Sequence, residues 1–128
     1  MENLYVAQST ISNAGRGIFT KQKLKKGTKL GYYKGVIYHE IPDENEREND
    51  YIMEITKRPP WISKEIWNKG HPIQIDGNNI LSLINGCREN KNIWNCDVLS
   101  TGMFVLNENV EKDDEIFICY GDEYWDCR

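Results

Sequence analysis

Asp114-Glu115-Ile116-Phe117-Ile118-Cys119-Tyr120-Gly121-Asp122-Glu123-Tyr124-Trp125 sets the pattern for the whole chain. The segment opens on an acidic turn and continues as a strand expected over residues 115–120, which from Ile116 is apolar and rich in β-branched and aromatic side chains that favour extended backbone. It then breaks at Tyr120-Gly121 and ends on two more aromatics. Upstream, Met103-Phe104-Val105-Leu106 has the same character, so two strands are expected, joined by a charged turn.

Further from this segment the chain shows the same short rhythm. Asn78-Asn79-Ile80-Leu81-Ser82-Leu83-Ile84-Asn85-Gly86-Cys87 follows a turn expected at residues 76–79. Its apolar part, 81–84, reads as a short helix or a buried extended segment. Residues 73–75 and 51–55 are expected to be strands. Residues 28–38 read as a strand interrupted near Gly31 and Gly35. Near the start, residues 4–7 and 17–20 flank a turn at Asn13-Ala14-Gly15-Arg16-Gly17, whose glycines and asparagine tolerate positive φ. Residues 41–50 form a polar loop with a helical turn. Residues 56–72, with Pro59, Pro60, Trp61 and Trp67, read as an irregular insertion holding a short helix at 63–68 capped by Ser63. Many short strands with long connections cannot make one regular sheet. The expected fold is mostly β, with several small packed sheets and few short helices, in a single domain spanning 1–128.

Composition narrows the function classes. The 128 residues are 39% hydrophobic and 11% aromatic, which excludes a disordered tail. No apolar run approaches the length of a membrane span, so no membrane partner is expected. Met1-Glu2-Asn3-Leu4-Tyr5 has neither the charged nor the apolar region of a secretory signal, which points to an intracellular setting. The four cysteines (Cys87, Cys96, Cys119, Cys127) form no CxxC pair, and His39 and His71 lie far from them. No metal site is expected, and the thiols read as free and mostly buried. Net charge is −4, with bases concentrated before residue 38 and acids after residue 108. Acidic surface disfavours direct nucleic-acid binding and attracts basic peptides. The alternative is solvated loop charge that only maintains solubility.

Three blocks in order resemble the SET domain family of protein-lysine methyltransferases. They are Gly15-Arg16-Gly17 with the downstream Lys26-Gly27 and Tyr33-Lys34-Gly35, then residues 78–87, then the segment from Asp114 to Trp125. The likeness runs from about residue 5 to 125, and the third block is its most specific part. The resemblance implies a knot-like C-terminal segment, S-adenosylmethionine as cofactor, and a histone or other lysine-bearing protein tail as partner. A nuclear location follows, in the host nucleus for a viral protein. The lack of cysteine clusters is similar to small viral members without zinc-bearing flanks. Gly86 and Cys87 replace the family's His and Ser after Asn85, Ser82 stands at a usual Arg, and the Gly of the acidic turn is missing. Asn85-Gly86-Cys87-Arg88 resembles the PR subclass.

Carried over residue by residue, the resemblance makes Tyr120 and Tyr33 the catalytic tyrosines. Tyr33, Ile118 and Tyr120 line the lysine channel, and Arg16, Gly17, Tyr51, Asn85, Gly86 and Trp125 bind the cofactor. Ile118 stands where the family often has an aromatic linked to the number of methyl groups added. Each residue has a plainer reading beside this one. Tyr120 and Tyr33 also read as core aromatics, Arg16-Gly17 as a hairpin turn, Asn85 as a turn former before Gly86, and Trp125 as an anchor for the chain end. Two function readings therefore stand: a methyltransferase acting on a histone tail, or a weakly active SET/PR-like module that binds a peptide or partner. The insertion at 56–72 also offers a surface for a homodimer.

Overall fold

The computed structural model describes residues 2–11, 15–46, 51–86 and 94–118. Among these, short strands dominate, as their β-branched composition requires. Strands β1 (Leu4–Gln8) and β2 (Arg16–Thr20) form an antiparallel pair. Strands β3 (Lys29–Tyr32) and β4 (Gly35–Tyr38) are the two halves of the interrupted strand expected at 28–38. The break falls at Tyr33-Lys34, where the chain passes from one sheet to another. A 3₁₀ turn at Glu44–Glu46 lies in the polar loop.

Strands β5 (Ile52–Ile55) and β6 (Ile73–Gly77) join β4 in a three-stranded sheet of order β4-β6-β5. Strand β6 is longer than expected, because Asp76 and Gly77 continue it instead of turning. Gly77 pairs with Gly35, and Asp76 Oδ1 accepts the Tyr51 backbone N–H at 2.9 Å. Between β5 and β6 the insertion is tied down. Helix α1 (Lys64–Asn68) is capped by Ser63, whose hydroxyl accepts the Ile66 N–H at 3.2 Å. Ile62 is buried at 1% exposure, and Trp61 and Trp67 pack against the core, leaving Ile66 as the insertion's exposed aliphatic.

The third sheet carries Asn85, Gly86 and Ile118. After a 3₁₀ turn (Ile80–Leu83) come β7 (Asn85–Gly86), β8 (Cys96–Val98), β9 (Met103–Leu106) and β10 (Phe117–Ile118). With β3 they run in the order β3-β9-β8-β10-β7. Strand β10 is parallel to both neighbours, with Ile118 opposite Gly86 on one side and Cys96 on the other. It thus slots between two strands that both precede it in sequence. The strand expected over 115–120 begins later, at Phe117, because Glu115 and Ile116 serve β2 instead. Glu115 forms a bridge with Phe19, and Ile116 N–H donates to Ile18 carbonyl at 2.8 Å.

One core unites the sheets. Ile18, Ile73, Ile75, Leu81, Ile84, Phe104, Leu106, Ile116 and Ile118 are each at most 2% exposed. Burying side chains of this size contributes about 1.5–3 kcal/mol apiece. The fold is mostly β, with small sheets and, among the described residues, one short α-helix, as the sequence suggested.

Candidate functional site

The site is built from the ends of three segments. At the start of β2, Arg16 is exposed and Gly17 buried. Asn85 of β7 is half-buried, and its side-chain Nδ2 donates to the Arg16 carbonyl at 3.0 Å and to Glu115 Oε2 at 3.3 Å. Facing two acceptors, that amide has a defined orientation. Gly86 follows and is paired with Ile118. Arg16, Gly17, Asn85, Gly86 and Ile118 are therefore brought together, although they come from three distant parts of the chain.

Glu115 fills the centre of this group. Its residue is 6% exposed, and its carboxylate accepts from Ser9 Oγ at 2.7 Å, Thr10 N–H at 2.7 Å and Thr10 Oγ1 at 2.6 Å. A Cβ added to Gly17 would overlap Glu115 Oε2 and lie 3.1 Å from Asn85 Nδ2. The glycine at 17 thus admits the Glu115 side chain, not open space. Gly15 differs. It has open space around it, and its φ of 73° is the left-handed backbone that glycine adopts without penalty.

Tyr33 and Tyr51 form a second group. Tyr33 is 4% exposed, stacks on Phe104 with ring centroids 5.8 Å apart, and donates its hydroxyl to the Tyr51 carbonyl at 2.6 Å. The same carbonyl accepts the Gly77 N–H at 3.0 Å. Tyr51 itself is 44% exposed. Residues 78–86 connect the two groups. Asn78 N–H donates to the Lys34 carbonyl at 3.0 Å, and Asn79 Nδ2 donates to the Tyr32 carbonyl at 2.9 Å, on either side of Tyr33. Asn85 reaches Arg16 at the other end. The first two sequence blocks therefore meet at both ends.

Tyr120 and Trp125 lie outside the described residues, as do Cys87, Cys119, Cys127 and Tyr124. Cys96 is free and buried, and burial foremost, helped by Asp97, pushes its thiol up to about 12. Among the described residues no group of His, Cys, Asp and Glu could hold a metal ion, and no helix is long and apolar enough to cross a membrane. Of the acids taken as surface charge, Glu108, Glu111, Asp113 and Asp114 are exposed. Glu115 is not, and that is a correction to the charge reading.

Three residues of this neighbourhood escaped sequence reasoning: Ser9, Thr10 and Asn95. Asn95, 7% exposed, donates Nδ2 to the Glu115 carbonyl at 2.9 Å and accepts the Phe117 N–H at 2.9 Å. Its amide imitates a strand partner on both sides of Ile116. A short polar residue whose partners lie some twenty positions away gives no advance signal of this.

Comparison with known proteins fits this geometry. A candidate histone methyltransferase of Plasmodium falciparum shares the fold at TM-score 0.61 and 23% identity, over 96% of this chain and 96% of that one. The methyltransferase domain of human PR domain-containing protein 2 does so at TM-score 0.67 and 17% identity, over 94% of this chain and 78% of that one. No curated protein matches by sequence. The SET domain model matches residues 15–121, which takes in the first two blocks, the third as far as Gly121 and the segments that unite them, and the chain belongs to the SET domain family.

Proposed function

We propose that the protein is a lysine N-methyltransferase that uses S-adenosylmethionine and modifies a lysine in a histone tail or a similarly basic protein tail, with the nucleus as its setting. The observation that carries this reading is the convergence of Arg16-Gly17, Asn85-Gly86 and Ile118 on one small region of a SET fold.

The residues present suit the cofactor. Arg16 is exposed and makes no ion pair among the described residues, so its guanidinium is free to take a carboxylate. Asn85 commits its Nδ2 to Arg16 and Glu115, and no partner for its Oδ1 is found among the described residues. The half-exposed Tyr51 ring offers an apolar wall. Trp125 would add a stacking surface for adenine. When bound, S-adenosylmethionine supplies an electrophilic sulfonium methyl group.

The chain's own task is then orientation, which can lower a barrier by about 7–11 kcal/mol when reacting groups are held in line. Tyr33 and Ile118 wall the lysine passage, and an aromatic wall suits an aliphatic stem carrying a cation. Tyr120 orients the amine and the methyl group. A phenol with a reference pKa of about 10 is a poor base at neutral pH, so water takes the lysine proton before attack. Exposed Glu108, Glu111, Asp113 and Asp114 favour capture of a basic tail.

The test is radiolabelled methyl transfer to core histones, read by mass spectrometry, with Tyr120→Phe alongside. Incorporation that falls sharply in the mutant supports the reading. Equal incorporation in both removes Tyr120 from its role. Peptide binding without any transfer makes the protein a binding module instead.

A further inference from the structure

We propose that Glu115 is a positioning residue for the methyl donor, holding the Arg16 backbone and the Asn85 amide in place from behind. The proposal rests on the functional reading above and deepens it.

The carboxylate is enclosed, and no basic side chain pairs with it among the described residues. A buried charge of this kind persists only where hydrogen bonds replace water. Four donors do so: Ser9 Oγ, Thr10 N–H, Thr10 Oγ1 and Asn85 Nδ2. A carboxylate has about four acceptor positions, so these donors are enough to fill them. A surface acid kept for solubility would show none of this.

The origin of the donors gives the carboxylate its role. Ser9 and Thr10 directly follow β1 and belong to the connection that returns as Gly15-Arg16-Gly17, closed by Ser9 N–H donating to the Gly15 carbonyl at 2.8 Å. Asn85 belongs to β7, and its Nδ2 also reaches the Arg16 carbonyl. One side chain therefore fixes both walls of the proposed cofactor site. It also dictates which half of the Asn85 amide faces away. With Nδ2 drawn to Glu115 and Arg16, Oδ1 is presented as the acceptor.

The experiment measures binding of S-adenosylhomocysteine by calorimetry, together with KM for cofactor and for a histone peptide. It uses wild type, Glu115→Gln, and the pair Ser9→Ala with Thr10→Val. Glu115→Gln keeps the shape but turns an amide N–H₂ toward hydroxyl and backbone donors. The expected result is a loss of about tenfold in affinity for S-adenosylhomocysteine and a matching rise in cofactor KM, since hydrogen bonds to a charged group are involved. The peptide KM should not move. The Ser9/Thr10 pair leaves the carboxylate in place, removes two of its donors and should weaken the same ligand in the same selective way. This pair decides the matter if Glu115→Gln fails to fold. Unchanged cofactor affinity in the folded variants, with normal wild-type binding, overturns the proposal alone. So does an equal loss for cofactor and peptide that tracks the melting temperature, because that is plain destabilisation. A wild-type chain that binds no S-adenosylhomocysteine overturns the functional reading and this proposal with it.

Discussion

The Glu115 carboxylate occupies the space that a side chain on Gly17 would need. The end of a flexible side chain normally yields to such an intrusion at little cost. This one is held by Ser9, Thr10 and Asn85, so it cannot move without breaking several bonds. Gly17→Ala is therefore expected to destabilise the fold by about 1–3 kcal/mol, the usual range for overpacking. Urea unfolding of the two proteins measures it. A change within error would mean that the carboxylate has room to swing aside.

Asp113 stands in the left-handed region, with φ of 70°. It occupies the acidic turn where the family has glycine, and aspartate is among the few residues that tolerate this backbone. Asp113→Ala should cost about 1–2 kcal/mol through backbone strain. Asp113→Asn should keep the thermal stability near that of wild type, because asparagine tolerates the same φ and retains an acceptor. Equal melting temperatures for the alanine and asparagine variants would contradict the strain argument.

The Tyr5 hydroxyl donates to Asp113 Oδ1 at 2.8 Å, and this hydrogen bond, with a smaller contribution from desolvation and the Asp113 charge, raises the Tyr5 pKa. A group whose folded pKa is raised contributes stability that is complete below its unfolded value and lost as pH rises through the folded value. The contribution should hold up to pH about 10 and then fade. Melting curves of wild type and Tyr5→Phe should differ at pH 8 and converge in strong alkali. A gap that widens with pH would reverse the assignment.

Cys96 is fully enclosed, with its thiol pushed up to about 12, so almost no thiolate exists at neutral pH. Peptide mapping after iodoacetamide at pH 8 should find Cys96 unlabelled in the native protein and labelled in denaturant. Rapid native labelling would show that β8 opens readily.

Tyr33→Phe removes one hydrogen bond while leaving the ring on Phe104. The Tyr51 carbonyl keeps its Gly77 donor, so the expected loss is about 1 kcal/mol in chemical unfolding. Methyl transfer should survive if the ring serves as a wall. Collapse of activity at unchanged stability would instead assign the hydroxyl a direct part in the reaction.

Much of this arrangement was legible in advance. Strands β1, β2, β5 and β9 and the Ser63-capped helix follow from local composition, where β-branched runs and capping residues act over a few positions. The ordered blocks grouped Arg16, Asn85 and Gly86 around one cofactor and Ile118 along the channel, while the contacts of Arg16 with Asn85 and of Gly86 with Ile118 emerge only in the structure. Strand β8 was not read in advance, since the alternation of Asn95-Cys96-Asp97-Val98 spans only four residues, two of them the strand-poor Asn and Asp. It is extended because β9 and β10 pair with it. Glu115 misled for a related reason. Among neighbouring acids nothing local marks it as buried, and its partners Ser9 and Thr10 lie more than a hundred positions away. Tertiary partners decide such residues, and a linear reading does not contain them.

Strand β10, wedged between β7 and β8, carries a consequence for how the molecule comes into being. A ribbon held on both edges by earlier strands has to arrive after their places are prepared, or hold a gap open for them. Pairings this far apart in sequence are slow to form. During synthesis the hairpin of β1 and β2 can close early, while the groove that β10 completes waits until almost everything described here has emerged from the ribosome. A half-made chain would show adhesive β7 and β8 edges and no finished pocket, so competence arrives late and in a single act.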